Sequence, residues 1–343
     1  MKKSVLLALS GGVDSCVCAH LLMQQGYDVQ AVVMKMSPLH DDTISAAKSA
    51  AKSLNIPLTV LDLQEIFDER IISYFINEYL NGRTPNPCIM CNPKVKFKYL
   101  LETANKLNCD YIATGHYAIT NENGEIYASI DQKRDQTYML YRLKSDLVKR
   151  LVLPLGKLTK VKVREIAASL GLESADKPDS QENCFINGKD YATYILNRLD
   201  TNPVKGEFIS PDGKVCGQHQ GIIHYTIGQR RGLNIALGER VFIKEINPSE
   251  NRIYLARQGE NLYSSTMIEM VTTIDDMPLK EDTYLVKIRS TAKGVPAKII
   301  PKADGYAYVE FLEPQTAVCS GQSLVIYTDD KLIGGGIINT LLK

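Results

Sequence analysis

Apolar residues open the chain in short blocks separated by amphipathic stretches. Residues 4–9, Ser-Val-Leu-Leu-Ala-Leu, read as a buried strand, and a glycine turn leads into a helical stretch through Ala19-His20-Leu21-Leu22-Met23 that ends near Gly26. Residues 29–34 form a second apolar strand, residues 44–54 an Ala- and Lys-rich helix, and Pro57 introduces a third strand over 58–63. The pattern predicts further helices at 65–80 and 97–107 and a short strand at 110–114. Strand and helix in alternation are the signature of a parallel α/β sheet. From Tyr117 to Gly188 the pattern is mixed, with a hairpin around Asn123-Gly124 and a helix at 160–170. Residues 190–199 read as the last helix. Beyond Pro203, short alternating runs broken by turns such as Pro211-Asp212-Gly213 and Asn247-Pro248 predict β structure, with strands at Ile288, 297–300, 306–311, 324–327 and 333–338. The expected division is an α/β domain at 1–201, a small β-rich domain at 202–272 and a C-terminal β-barrel at 273–343.

A length of 343 residues fits this division, being too long for one ordinary core. Hydrophobic residues at 44% and charged residues at 23% are those of a soluble globular chain. No apolar run approaches the ~20 residues that cross a bilayer, so no membrane association is expected. Lys2-Lys3 ahead of the first apolar run faintly resembles a signal peptide, but the run is short and ends in Gly11-Gly12 and Asp14 without a small-residue cleavage site. The expected location is therefore the cytoplasm. Eight cysteines there point to catalysis or metal binding rather than to a disulfide scaffold. A net charge of +1 means that nucleic acid would have to be held by local basic stretches. Lys94-Val95-Lys96-Phe97-Lys98, Lys133-Arg134, residues 157–164 and Arg230-Arg231 are the candidates, although each alone is ordinarily a solvated helix face.

Ser10-Gly11-Gly12-Val13-Asp14-Ser15 lies between the first strand and the first helix. Glycines there let the backbone turn tightly and approach a ligand, while N–H groups and the helix dipole favour an anion. Ser10 and Ser15 add hydroxyl donors, and Asp14 suits a Mg²⁺ that neutralises pyrophosphate. The loop lacks the Gly-Lys-Ser/Thr of a Walker motif. It resembles the loop of the pyrophosphatase-loop (PP-loop) ATP enzymes, which cleave ATP between the α- and β-phosphates and leave AMP on a substrate oxygen.

Cys88-Ile89-Met90-Cys91 reads as part of a Pro/Asn-rich loop after Thr84-Pro85-Asn86-Pro87, and Cys184 lies in a polar stretch. Three chemistries are open. Cys88, Cys91, Cys216 and His219 have acceptable spacing for structural zinc, although the two pairs fall in different expected domains. Cys91 and Cys184 suit sulfur transfer through a persulfide that a second thiol resolves. Cys88, Cys91 and Cys184 suit a [4Fe-4S] cluster with one open iron. Cys16, Cys18, Cys109 and Cys319 sit in apolar or helical contexts and read as core residues.

Together these motifs make the chain resemble the tRNA-uridine 2-sulfurtransferases over essentially its whole length. The resemblance is carried by residues 8–15, Val33-Met34-Lys35, residues 84–92 with Lys96-Phe97, residues 113–118, 135–140, 179–185 and 224–233, and Gly334-Gly335-Gly336. It implies ATP-dependent thiolation of C2 of the wobble uridine, position 34, by a PP-loop domain of the adenine-nucleotide hydrolase type. Ala8, Leu9, Ser10, Gly11, Gly12, Val13, Asp14, Ser15, Met34 and Gly115 would hold ATP. Cys91 would be the first catalytic cysteine and Cys184 the persulfide carrier. Asn86, Pro87 and Cys88 would face the target base, and His116, Arg134, Asp135, Gln136, Arg289, Ser290 and Gln322 would contact tRNA. A cysteine desulfurase or sulfur carrier would donate the sulfur. Cys88 stands where most members have Asp, which keeps the cluster open beside the relay. Another PP-loop adenylating ligase, or a zinc-stapled RNA-binding module, remains a rival reading at this point.

Overall fold

A computed structural model describes residues 2–171, 183–186 and 190–340. Four strands near the N-terminus, β1 (Ser4–Ala8), β2 (Asp28–Lys35), β3 (Leu58–Asp62) and β4 (Tyr111–Ala113), are separated by helices that include α1 (Val13–Gln24) and α2 (Asp41–Leu54). With β7 (Leu151–Val152) they build a parallel sheet in the order β3-β2-β1-β4-β7. Central strand β1 is apolar from Val5 to Ala8 because both its faces are covered. Val5 and Leu7 pack in a cluster with α1 residues and with Val163 and Ala167 of α8 (Lys160–Ser169). Leu6 points to the opposite cluster, which holds Phe67, Phe75, Val95 and Leu100.

The expected helix over 65–80 is built in three pieces: α3 (Gln64–Phe67), a π turn at Asp68–Ile72, and α4 (Ser73–Leu80). Cys88 and Cys91 are not in a loop, contrary to expectation. They lie in α5 (Pro87–Cys91), which continues through a π turn at Asn92–Lys96 into α6 (Phe97–Lys106). Asn-Pro is a helix start: the Asn86 side chain accepts from the Cys88 N–H at 3.2 Å, and Pro87 occupies the first turn, where its missing N–H costs nothing. The Asn-Gly hairpin forms as expected, pairing β5 (Ile119–Thr120) with β6 (Ile126–Tyr127). Helices α7 (Ser145–Val148) and α9 (Tyr191–Leu199), the latter capped by Asp190, complete the α-helices of the described residues.

A four-stranded sheet follows, with β8 (Gly206–Ile209), β9 (Val215–His219), β10 (Val241–Asn247) and β11 (Arg252–Arg257) in the order β10-β11-β8-β9. The C-terminal strands are β12 (Leu262–Thr273), β13 (Asp282–Lys287), β14 (Val295–Pro301), β15 (Ala307–Thr316), β16 (Ser323–Thr328) and β17 (Lys331–Asn339). Since β12 pairs with both β15 and β17, these six close into an antiparallel barrel. Strand β12 runs through residue 272 and bonds within this barrel. The β5–β6 hairpin adds to the barrel as well, with Tyr127 opposite Lys331 and Ile126 opposite Leu332.

A second junction lies beside the cysteine helix. The Thr84 N–H donates to the Ser320 carbonyl at 2.9 Å, and the Gln322 amide donates to the Thr84 carbonyl at 2.7 Å. The Thr84 hydroxyl donates to Thr226 at 3.3 Å, which brings in the middle region. Next to it, Arg83 pairs with Glu78 at 2.9 Å and with Glu269 at 2.6 Å. Gly321 makes the approach feasible: its φ is +90°, and an added Cβ would stand 2.8 Å from the Thr84 nitrogen. We expect Gly321→Ala to cost about 2–4 kcal/mol through backbone strain and overpacking. Thermal or urea unfolding measures this, and a stability equal to that of the parent would refute the close approach.

Candidate active site

The phosphate loop spans the carboxyl end of β1 and the start of α1. Gly12 is the N-cap of α1 and supplies no side-chain cap, so the first turn presents N–H groups for an anion. The Ser10 and Ser15 hydroxyls lie 3.2 Å apart. Gly11 has φ +76°, and a Cβ there would stand 2.4 Å from the Ala46 backbone of α2. Only glycine lets the loop run beneath that helix. Above the loop is a cavity of about 490 Å³. Ala8, Leu9, Ser10, Asp14 and Ser15 line it from the loop side, Met34 from β2, and Gly115 from the loop after β4. Gly12 and Val13 belong to the helix start, with Val13 buried in the core. These residues fit a nucleotide with its phosphates on the α1 terminus.

Asp14 is engaged differently from the expectation of a Mg²⁺ ligand. Both its oxygens accept from the Lys160 ammonium at 2.8 Å, and its Oδ1 also accepts from the Tyr117 hydroxyl at 2.8 Å. A Mg²⁺ finds no free carboxylate in Asp14. Lys160 is buried at the first position of α8, so within the basic stretch 157–164 it is an internal ion-pair partner. Its sequence carries no trace of this role, because the partner lies 146 positions away. Lys160 neutralises a carboxylate that would otherwise repel phosphates.

The three candidate thiols are free, as are the other five cysteines. Cys91 is buried, with its Sγ 3.9 Å from the Met36 sulfur. Burial pushes its thiol up to about 12; Cys184 and Cys88 add to the rise and Lys96 opposes it. Cys184 lines the nucleotide cavity, and reduced hydration there pushes its thiol up to about 11, with Cys88 adding to the rise and Lys96 opposing it. Cys88 is exposed on the first turn of α5. These mutual effects put the three sulfurs in one neighbourhood. Among the described residues no group of three or more His, Cys, Asp and Glu side chains is arranged to hold a metal ion. The zinc set fails on its own geometry. His219 is buried in β9, where its Nδ1 accepts from the Gly221 N–H at 3.1 Å and its Nε2 faces the Asn251 carbonyl at 3.1 Å. Cys16, Cys18, Cys109 and Cys319 are buried, consistent with core positions.

The residues expected to meet tRNA divide by environment. His116 is held against Thr114, Nδ1 to Oγ1 2.7 Å, and its ring packs beside Phe97. Burial, then Lys96, lowers its pKa to about 3. The Gln136 side chain accepts from the Tyr117 N–H at 2.9 Å and lines the cavity. Arg134 is exposed. Asp135 is turned inward, accepting from Ser129 and Thr137 and facing Lys287 of the barrel at 3.5 Å. Arg289 donates to the Ala317 carbonyl at 3.1 Å, and Ser290 beside it is exposed. Gln322 and Asn86 serve the junction and the helix cap already described, and Pro87 is buried.

Three known families match successive parts of the chain. Residues 3–188 match the family described as "tRNA methyl transferase HUP domain", residues 192–257 its PRC-barrel domain, and residues 265–338 an "aminomethyltransferase beta-barrel domain". The tRNA-specific 2-thiouridylase MnmA of Clostridium acetobutylicum is 42% identical over 360 aligned residues, covering 98% of this chain and 100% of the relative. That of Acetivibrio thermocellus is also 42% identical, covering 98% and 99%, and that of Clostridioides difficile 40%, covering 100% and 99%. The chain belongs to the tRNA-specific 2-thiouridylase family. As a member of the tRNA-specific 2-thiouridylases it keeps the PP-loop domain, the central β domain and the closed barrel in the expected order.

Two outcomes are expected from the charges around the loop. Lys160→Met strands Asp14, which is partly solvated, and should cost about 1–3 kcal/mol and weaken ATP binding. Adding Asp14→Asn should recover part of the stability, and a double mutant no more stable than the single would refute the pairing. His116 has a folded pKa below the ordinary 6.5, so the unfolded chain takes up its proton first as pH falls. Its contribution is full above about pH 6.5 and is lost towards pH 3, with a slope of about 1.4 kcal/mol per pH unit. His116→Asn should flatten the stability profile in that window.

Proposed function

We propose that the chain is an ATP-dependent tRNA-uridine 2-sulfurtransferase that thiolates C2 of the wobble uridine at position 34. The observation carrying this reading is that Cys184 lines the cavity of the phosphate loop, with Cys91 and Cys88 in the same neighbourhood. The matched family's description speaks of methyl transfer and the relatives' names of thiolation. Paired thiols beside a nucleotide cavity support thiolation, because methyl transfer needs neither.

The chemistry follows from the leaving group. A uridine C2 oxygen leaves poorly, so it is first placed on the α-phosphate of the co-substrate ATP, expelling pyrophosphate. The α1 N–H groups and the Ser10 and Ser15 hydroxyls hold the departing phosphates. Cys184 carries a persulfide, loaded by a cysteine desulfurase or sulfur carrier. Its terminal sulfur attacks C2 and AMP leaves with the former O2. The Cys91 thiolate then attacks the Cys184 sulfur, breaking the S–S bond to the product. This releases 2-thiouridine and leaves a Cys91–Cys184 disulfide, which two electrons from a cellular dithiol reduce. The reducing cytoplasm suits a cycle that must regain both thiols. Among the described residues no helix is long and apolar enough to cross a membrane.

Asn86, Pro87 and Cys88 would meet the flipped base, which an anticodon loop yields more cheaply than a duplex. His116, Arg134, Asp135, Gln136, Arg289, Ser290 and Gln322 would shape the tRNA path. Cys184→Ser should still release pyrophosphate with tRNA present yet form no 2-thiouridine by nucleoside mass spectrometry. Thiolated product from that variant would sink the relay. Affinity for tRNA should fall with log salt concentration, as phosphate contacts by local basic patches require.

A further inference from the structure

Lys96 lies at the end of the π turn that joins the cysteine helix to α6, in the stretch read from sequence as an RNA-binding patch. The structure separates it from its neighbours. Lys94 is exposed, and Lys98 reaches Glu102 of its own helix at 3.9 Å. Lys96 is half-buried and lines the nucleotide cavity together with Ser10, Asp14, His116 and Cys184. Among the described residues no carboxylate forms an ion pair with it; Asp14, in the same wall, is taken by Lys160. The π turn accounts for the placement, because its wider winding shifts the last residue relative to a regular helix that starts at Pro87.

An ammonium that is partly desolvated and has no carboxylate partner among the described residues favours an anion that arrives to meet it. Two anions belong in this cavity: a nucleotide phosphate above the loop and an ionised sulfur on Cys184. We propose that Lys96 is a catalytic cation shared by the two halves of the reaction, holding the phosphate adjoining the activated uridine and then the ionised sulfur of Cys184. The proposal rests on the sulfur-transfer reading and adds to it a residue that couples activation to sulfur delivery. Its pull on Cys91 and Cys184 opposes the upward push of burial on both thiols. Among the described residues the other titratable groups lining this space are His116, His40, Cys184 and the Lys160-bound Asp14, while Cys88 and Cys91 act on it as electrostatic neighbours of Cys184.

The test uses the full-length protein without tRNA, so it reads Lys96 separately from whether the product is 2-thiouridine. Lys96→Met, Lys96→Gln and Lys96→Arg are compared by two measurements. One is the pH profile of iodoacetamide alkylation at Cys184, followed by peptide mass spectrometry. The other is the Kd of α,β-methylene-ATP. In the two neutral variants alkylation at pH 8 should slow about tenfold, its midpoint rising by about one pH unit, and the analogue should bind about tenfold more weakly. Lys96→Arg, which keeps the charge, should restore both. A folded neutral variant in which either measurement stays at the parent value overturns the shared role. So does a charge requirement for folding itself, seen as two unfolded neutral variants beside a folded Lys96→Arg.

Discussion

The backbone at Thr84 is the constraint on which the site depends. Its N–H and its carbonyl are both bonded to the barrel turn around Gly321, and its hydroxyl to the middle region. Two residues later Asn86 caps the cysteine helix, so the barrel sets where that helix starts. From this fixed start α5 carries Cys88 and Cys91, and the π turn delivers Lys96 to the cavity. The parallel sheet fixes the other wall through the phosphate loop, and the core that includes Val325, Tyr327 and Leu332 of the barrel binds the two walls together.

The cavity is prepared for negative charge that comes from outside. Asp14, its acidic wall residue, is matched by Lys160, His116 is held neutral by burial, and Cys91 and Cys184 are kept as thiols. Backbone N–H groups and one ammonium then dominate the electrostatics a phosphate meets. Sulfur loading changes this balance, since a persulfide ionises more readily than the thiol it replaces.

Sequence alone revealed what is local. The apolar strand followed by Ser-Gly-Gly-Val-Asp-Ser gave both the sheet and the phosphate loop, because strand burial and glycine freedom are short-range properties. The Asn-Gly hairpin was legible for the same reason. Asn86-Pro87 was read as loop although it is a helix start, since Pro and Asn signal both and only the cap bond decides. Pairings across the chain left no mark: Asp14 with Lys160, Asp135 with Lys287, Thr84 with Gln322. His219 had zinc-like spacing from Cys216, yet its nitrogens are occupied by the backbone. The resemblance to a family singled out Cys88, Cys91 and Cys184, and the structure brings these three into one neighbourhood.

Strand β17 has a consequence for how the protein is made. It closes the barrel against β12 and also carries the β5–β6 hairpin of the N-terminal domain. On a ribosome every partner of β17 emerges before it does. The N-terminal domain can therefore collapse early around its parallel sheet, but the barrel turn that pins Thr84 has no finished barrel behind it until β17 has itself been made. A truncated or stalled chain would carry a phosphate loop without a registered cysteine helix, and so could take up nucleotide without delivering sulfur.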